Sequence, residues 1–223
     1  MNPGIDLVIF DCDGVLVDSE PIAVSVLCDI ITNAGHPIDE QMAYDLFLGR
    51  SMTTISQTIA DRFGLDFAGQ HLEMTREMMS TRFRAELRAI AGIRETLEAI
   101  SHRRCVASSS RPERIQMSLE ITGLLDLLSP HIFSATMVKH GKPAPDLFLH
   151  AASSMGTDPA RCLVIEDSPA GIRAAKAAGM KVYGFAGGSH AKAGGLHAAF
   201  DELKPDVVFD DMRVLPELLR VGP

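Results

Sequence analysis

Short apolar runs alternate with helical patterns along most of this chain. Residues 5–10, 105–108, 162–166, 181–185 and 206–209 are apolar on both faces, with 132–133 a weaker sixth run. Strands covered by helices on either side read this way. Helical patterns near 95–102, 112–121, 145–156, 169–178 and 213–220 separate the runs. That alternation predicts βαβ units and an α/β fold with a doubly wound, mostly parallel sheet. In such a sheet, ligands bind beyond the carboxyl ends of the strands.

One interval breaks the alternation. Between Ser19 and about Arg84 the pattern is helical throughout. Ile22, Val26 and Ile30 are four apart, Ile55, Ile59 and Phe63 repeat the spacing, and Met79 and Phe83 do so again. The expectation is an all-α insert after the first strand: residues 18–85 as a helical cap, with 1–17 and 86–223 as the α/β core. The methionines Met74, Met78 and Met79 are expected to pack inside the insert. The stretch from Gly187-Gly188-Ser189 to Gly194-Gly195 is expected to be a flexible surface loop.

Composition narrows the partners. The 223 residues are 46% hydrophobic, enough for one large domain or one with a smaller companion. A net charge of −8 carries no sign of the clustered Lys and Arg that nucleic acid or anionic membrane calls for. No apolar run approaches the roughly 18 residues of a membrane span, and the first residues show no signal-peptide pattern. The 4 cysteines, Cys12, Cys28, Cys105 and Cys162, are scattered without a Cys-x-x-Cys pair. Free thiols in a reducing cytoplasm are expected.

The candidate chemistry sits where strands end. The run 5–10 leads directly into Asp11-Cys12-Asp13-Gly14. Strand alternation would turn Asp11 and Asp13 the same way. Two such carboxylates repel unless a cation lies between them or one keeps its proton. Mg²⁺ suits oxygen ligands of this kind, and Gly14 permits a sharp exit. An isolated Asp-x-Asp-Gly can equally be a solvated turn.

Ser108, Ser109 and Ser110 follow the second run, and a helix begins at Pro112-Glu113. This is a phosphate cradle or a plain helix cap. Lys142 precedes two closely spaced prolines, which hold it at a rigid loop-to-helix entry. Glu166-Asp167 closes another run, Ser168 caps the helix that follows, and Gly179 ends it.

The string Phe-Asp-Cys-Asp-Gly-Val-Leu-Val-Asp-Ser-Glu resembles the first signature motif of the haloacid dehalogenase superfamily. The serines at 108–110, Lys-Pro-x-Pro-Asp at 142–146 and Glu-Asp-Ser-x-x-Gly-Ile at 166–172 resemble its second, third and fourth motifs, in the family's order. The helical insert is similar to the small cap of the β-phosphoglucomutase and phosphoglycolate phosphatase subgroup.

The resemblance implies a Mg²⁺-dependent phosphatase of a small phosphorylated metabolite, a sugar or sugar-acid phosphate, acting through an aspartyl phosphate. Asp11 would be the nucleophile and Asp13 the general acid and base. Ser108 and Lys142 would stabilise the phosphoryl oxygens. Asp11, the Asp13 backbone carbonyl and Asp167 would hold Mg²⁺, with Glu166 binding it directly or through water. Ser109 and Arg111, together with Gly49, Arg50 and Ser51 in the cap, are the candidate substrate contacts. A monomer is the default expectation.

Two other readings stay open. β-Phosphoglucomutase resembles the chain, but carries a histidine where Ala23 stands and a cap arginine where Met52 stands. Arg50 is a nearby substitute for the latter. The other is a non-catalytic binder of phosphorylated metabolites on the same fold. A dehalogenase fits poorly, because dehalogenases of the superfamily lack the second aspartate present here as Asp13.

Overall fold

Every residue of strand β1 (Leu7–Phe10) is fully buried, as a strand covered on both faces must be. The computed structural model describes residues 4–50, 52–67 and 69–221. Strands β1, β2 (Arg103–Ser108), β3 (Ile132–Ser134), β4 (Cys162–Glu166), β5 (Lys181–Phe185) and β6 (Val207–Phe209) form one sheet. All its pairs are parallel, in the order β3-β2-β1-β4-β5-β6. Ile9 stands opposite Cys105 on one side and Val164 on the other.

The strand order reverses between β1 and β4, which makes their carboxyl ends the topological switch point. There the Asp11 amide donates to the Ile165 carbonyl at 3.0 Å. The chain therefore leaves β1 and β4 side by side, and the acids after each strand emerge together. Behind them, Leu7, Ile9, Ala107 and Val164 share a core with Phe148 and Ala151 of helix Asp146–Ser154 and Ala174 of helix Pro169–Ala177.

The chain divides into two compact units, one running to Asp18 and resuming at Arg88, the other Ser19–Leu87. The second contains helices Glu20–Asn33, Glu40–Phe47, Met52–Phe63 and Gln70–Glu86. Asp39 starts the second of these by accepting a bond from the Met42 amide at 2.7 Å. Helix Glu20–Asn33 packs on Glu40–Phe47 and Gln70–Glu86, burying Val26, Leu27, Ile31 and Phe83.

Several expectations need correction. Met74 and Met78 are not packed; they are 58% and 39% exposed, and only Met79 turns inward. The helix expected at 95–102 is Ile93–Ala99, begun early by Gly92 in a left-handed conformation. Helices Leu125–Leu128 and Leu196–Leu203 were not expected. The first is a single turn, and the second buries only Leu196 and Phe200 behind a glycine-rich tract that blurs periodicity.

That tract is not a plain surface loop. Gly188, His190 and Ala191 are buried within it. Its polar groups bond inward and to one another, including Gly194 N–H to the His190 carbonyl at 2.8 Å. All four cysteines are free thiols, with Cys28 only half-buried. No helix among the described residues is long and apolar enough to cross a membrane.

Candidate functional site

Asp11, the first residue beyond β1, is buried, and Lys142 Nζ donates to its Oδ1 at 2.8 Å. The same ammonium donates to Glu166 Oε1 at 2.6 Å, at the end of β4. Lys142 is 3% exposed and its Nζ also lies 4.9 Å from the centre of the Phe148 ring. Burial favours the neutral amine, but Asp11 and Glu166 together outweigh it and keep Lys142 charged beyond its ordinary range.

Glu166 is fully buried. Its Oε2 accepts from the Ser168 amide at 2.8 Å and the Ser168 hydroxyl at 2.9 Å. Ser168 Oγ in turn caps helix Pro169–Ala177 by accepting from Gly171 N–H. A Cβ on Gly171 would lie 1.8 Å from the Glu166 carboxyl, so only glycine lets the helix pass this closely.

Asp11, Glu166 and Asp167 offer carboxylate oxygens within 4.8 Å of one another, all buried. Burial pushes Asp11 well above the usual carboxylate range, and the charges of Glu166 and Asp167 add to it against the pull of Lys142. Burial also raises Asp167, against its hydrogen bond from His190. One ammonium among three buried carboxylates leaves negative charge that a divalent cation would compensate. The donor set is all oxygen, which suits a hard ion.

Asp13 is held apart from this trio. Its Oδ2 accepts from Ser110 Oγ at 2.6 Å and its Oδ1 from Arg114 at 2.8 Å. The regular strand stops at Phe10, so strand alternation does not carry through to residue 13. Ser108 is buried and its Oγ accepts from the Ser110 amide at 3.0 Å. Ser109 and Arg111 are exposed, Arg111 at the cap position of helix Pro112–Ile121.

Gly49 and Arg50 belong to the helical unit, where Arg50 donates to the Asp45 carbonyl at 3.3 Å. Arg50 lines a groove of about 700 Å³ there, with Asp45, Asp61 and Arg62. Ser51 lies outside the described residues.

Two residues that no sequence motif marks, Arg114 and His190, belong to this constellation, beside Ser110 of the serine run. Ser110 and Arg114 bind Asp13, and His190 Nε2 lies 2.9 Å from Asp167 Oδ2. Arg114 was findable, three residues from Arg111 and so on a neighbouring part of the helix surface. His190 had no local signal, being a single histidine in a glycine-rich tract.

The family model of the haloacid dehalogenase-like hydrolases matches residues 5–179. A 6-phosphogluconate phosphatase of Escherichia coli is 31% identical over 84% of this chain and 86% of its own length. A fructose-1-phosphate phosphatase of the same species is 31% identical over 77% of this chain and 92% of its own. The crystal structure of a conserved haloacid dehalogenase-like protein of unknown function from Agrobacterium tumefaciens superposes with a TM-score of 0.84. It is 35% identical, covering 97% of this chain and 98% of that one. With its motifs gathered at the switch point of a parallel sheet, the chain belongs to the haloacid dehalogenase-like hydrolase family, an enzyme standing among that family's phosphatases.

Proposed function

We propose that this protein is a Mg²⁺-dependent phosphatase that hydrolyses a small phosphorylated metabolite through an aspartyl phosphate on Asp11. The observation that carries the reading is the buried set of Asp11, Lys142, Glu166 and Asp167 at the ends of β1 and β4. Perturbed carboxylates concentrated in one place mark sites of chemistry more often than sites of stability.

Asp11 attacks phosphorus in line, forming the acyl phosphate as the ester oxygen leaves, and so divides a very slow reaction into two steps. Asp13 gives a proton to the leaving oxygen, then takes one from the water that cleaves the intermediate. Its bonds to Ser110 and Arg114 hold the carboxylate for that work. Lys142 and the Ser108 hydroxyl stabilise the charge on the phosphoryl oxygens.

Asp11, the Asp13 carbonyl and Asp167 would hold the cation, which when bound offsets the repulsion between an anionic nucleophile and an anionic ester. Both Glu166 oxygens already accept bonds from Lys142 and Ser168, which favours a link through water over direct ligation.

In this reading the helical unit is the cap, and Gly49, Arg50 and Ser51 contribute to substrate choice with Ser109 and Arg111. The names of the relatives support a sugar or sugar-acid phosphate. The test is phosphate release from p-nitrophenyl phosphate and a panel of such esters, in Mg²⁺ and in EDTA. Release in Mg²⁺ alone is expected. Clean protein that releases nothing from any ester in Mg²⁺ overturns the reading in favour of a binding protein.

A further inference from the structure

The carboxyl group of aspartate turns about a broad, roughly two-fold torsion, so packing alone fixes its oxygens poorly. At Asp167 a hydrogen bond does the fixing. His190 Nε2 lies 2.9 Å from Oδ2, with both side chains buried, the imidazole 1% exposed. An ionised carboxylate only accepts, so the imidazole nitrogen donates.

The histidine itself is held from several directions. A Cβ on Gly14 would lie 1.8 Å from Asp167 Oδ2 and 2.9 Å from His190 Cε1. Gly14 has φ of 78°, so a side chain there meets strain as well as a clash. The neighbouring Ser189 donates to Asp18 Oδ1 from its amide at 3.2 Å and from its hydroxyl at 2.9 Å. The turn that carries the imidazole is thereby tied to the segment that follows β1. Three stretches far apart in sequence, 13–18, 166–167 and 188–190, close on one carboxylate.

We infer that His190 is a positioning residue: it orients Asp167 for a divalent cation, acting through that carboxylate and not on substrate. This rests on the proposed metal site and deepens it. A carboxylate ligand fixed by an outer hydrogen bond holds its metal more tightly, and loss of such a partner costs about 10–100-fold in affinity. The glycines around it serve this packing, which gives the tract 187–195 a role its composition does not suggest.

The test is a Mn²⁺ titration of the purified protein, read from the electron paramagnetic resonance signal of the free ion. Circular dichroism reports whether each variant is folded. His190→Leu is expected to raise the Mn²⁺ dissociation constant by about 10–100-fold. His190→Gln, whose Nε2 can donate to the same oxygen, is expected to recover most of that loss.

Should His190→Leu fail to fold, His190→Asn takes its place, since its shorter amide does not reach with the same atom. Asn is then expected to bind Mn²⁺ more weakly than Gln. Folded His190→Leu binding Mn²⁺ as tightly as the wild type, or Asn and Gln binding equally, overturns this inference alone. A wild-type protein that takes up no Mn²⁺ overturns the metal site itself, and this inference with it.

Discussion

Both units carry exposed ion pairs, but among the described residues only the sheet unit buries charged side chains. In the sheet unit, Asp11, Lys142, Glu166 and Asp167 are buried and bonded to one another or to close neighbours. In the helical unit the ion pairs lie outside: Arg82 with Glu86 and Asp29, and Arg76 with Glu73. Exposed pairs of that kind contribute little to stability. A buried network is different, since well-packed apolar residues often stabilise a fold as well or better. Its place at the switch point accords with the chemistry proposed there. The helical unit can change its surface at little cost to stability, a property that suits the substrate-selecting role proposed for it.

The sharpest way to break this contrast is Asp11→Asn. In saturating Mg²⁺, phosphate release is expected to fall by at least about 10³-fold, because the proposed acyl phosphate cannot form on an amide. Calorimetry is expected to show an unfolding midpoint close to that of the wild type. Substantial residual turnover would remove Asp11 from its role.

Lys142→Ala should act on the fold itself. It leaves Asp11 and Glu166 buried without their common cation, and such a loss costs about 3–5 kcal/mol. Urea unfolding of the metal-free variant measures it. A midpoint equal to the wild type's would mean that the buried charges do not depend on this lysine.

The smallest effect is expected in the helical unit. Arg50→Ala should raise KM about tenfold and leave kcat alone, as loss of a contact made equally in ground and transition states does. A fall in kcat at unchanged KM would show that the two units are not divided as proposed.

Much of the sheet unit is legible in the sequence. A strand buried on both faces shows as an unbroken apolar run, and the runs 162–166 and 181–185 coincide with β4 and β5. Pro169 and Gly179 bracket a helix by their own backbone preferences. Methionine is a poorer guide: Met74 and Met78 have core chemistry and lie exposed, because helix periodicity, not residue type, decides which face turns inward. The tract 187–195 misleads for a related reason. Glycine signals backbone freedom, whereas at Gly188 the space left by the missing side chain is filled by the ring of His190.

Local chemistry in the sequence, then, determined the strands, the helix caps and the candidates Asp11, Lys142, Glu166 and Asp167. Each of these depends on near neighbours along the chain. Tertiary structure alone decided that β1 and β4 lie adjacent, that Asp13 is bound by Ser110 and Arg114, and that His190 reaches Asp167. These partners are separated by between 23 and 155 residues or join different loops, and no local propensity encodes such a meeting. Strand order and the burial of unlike segments in one core bring them together, and that is a property of the whole packed chain.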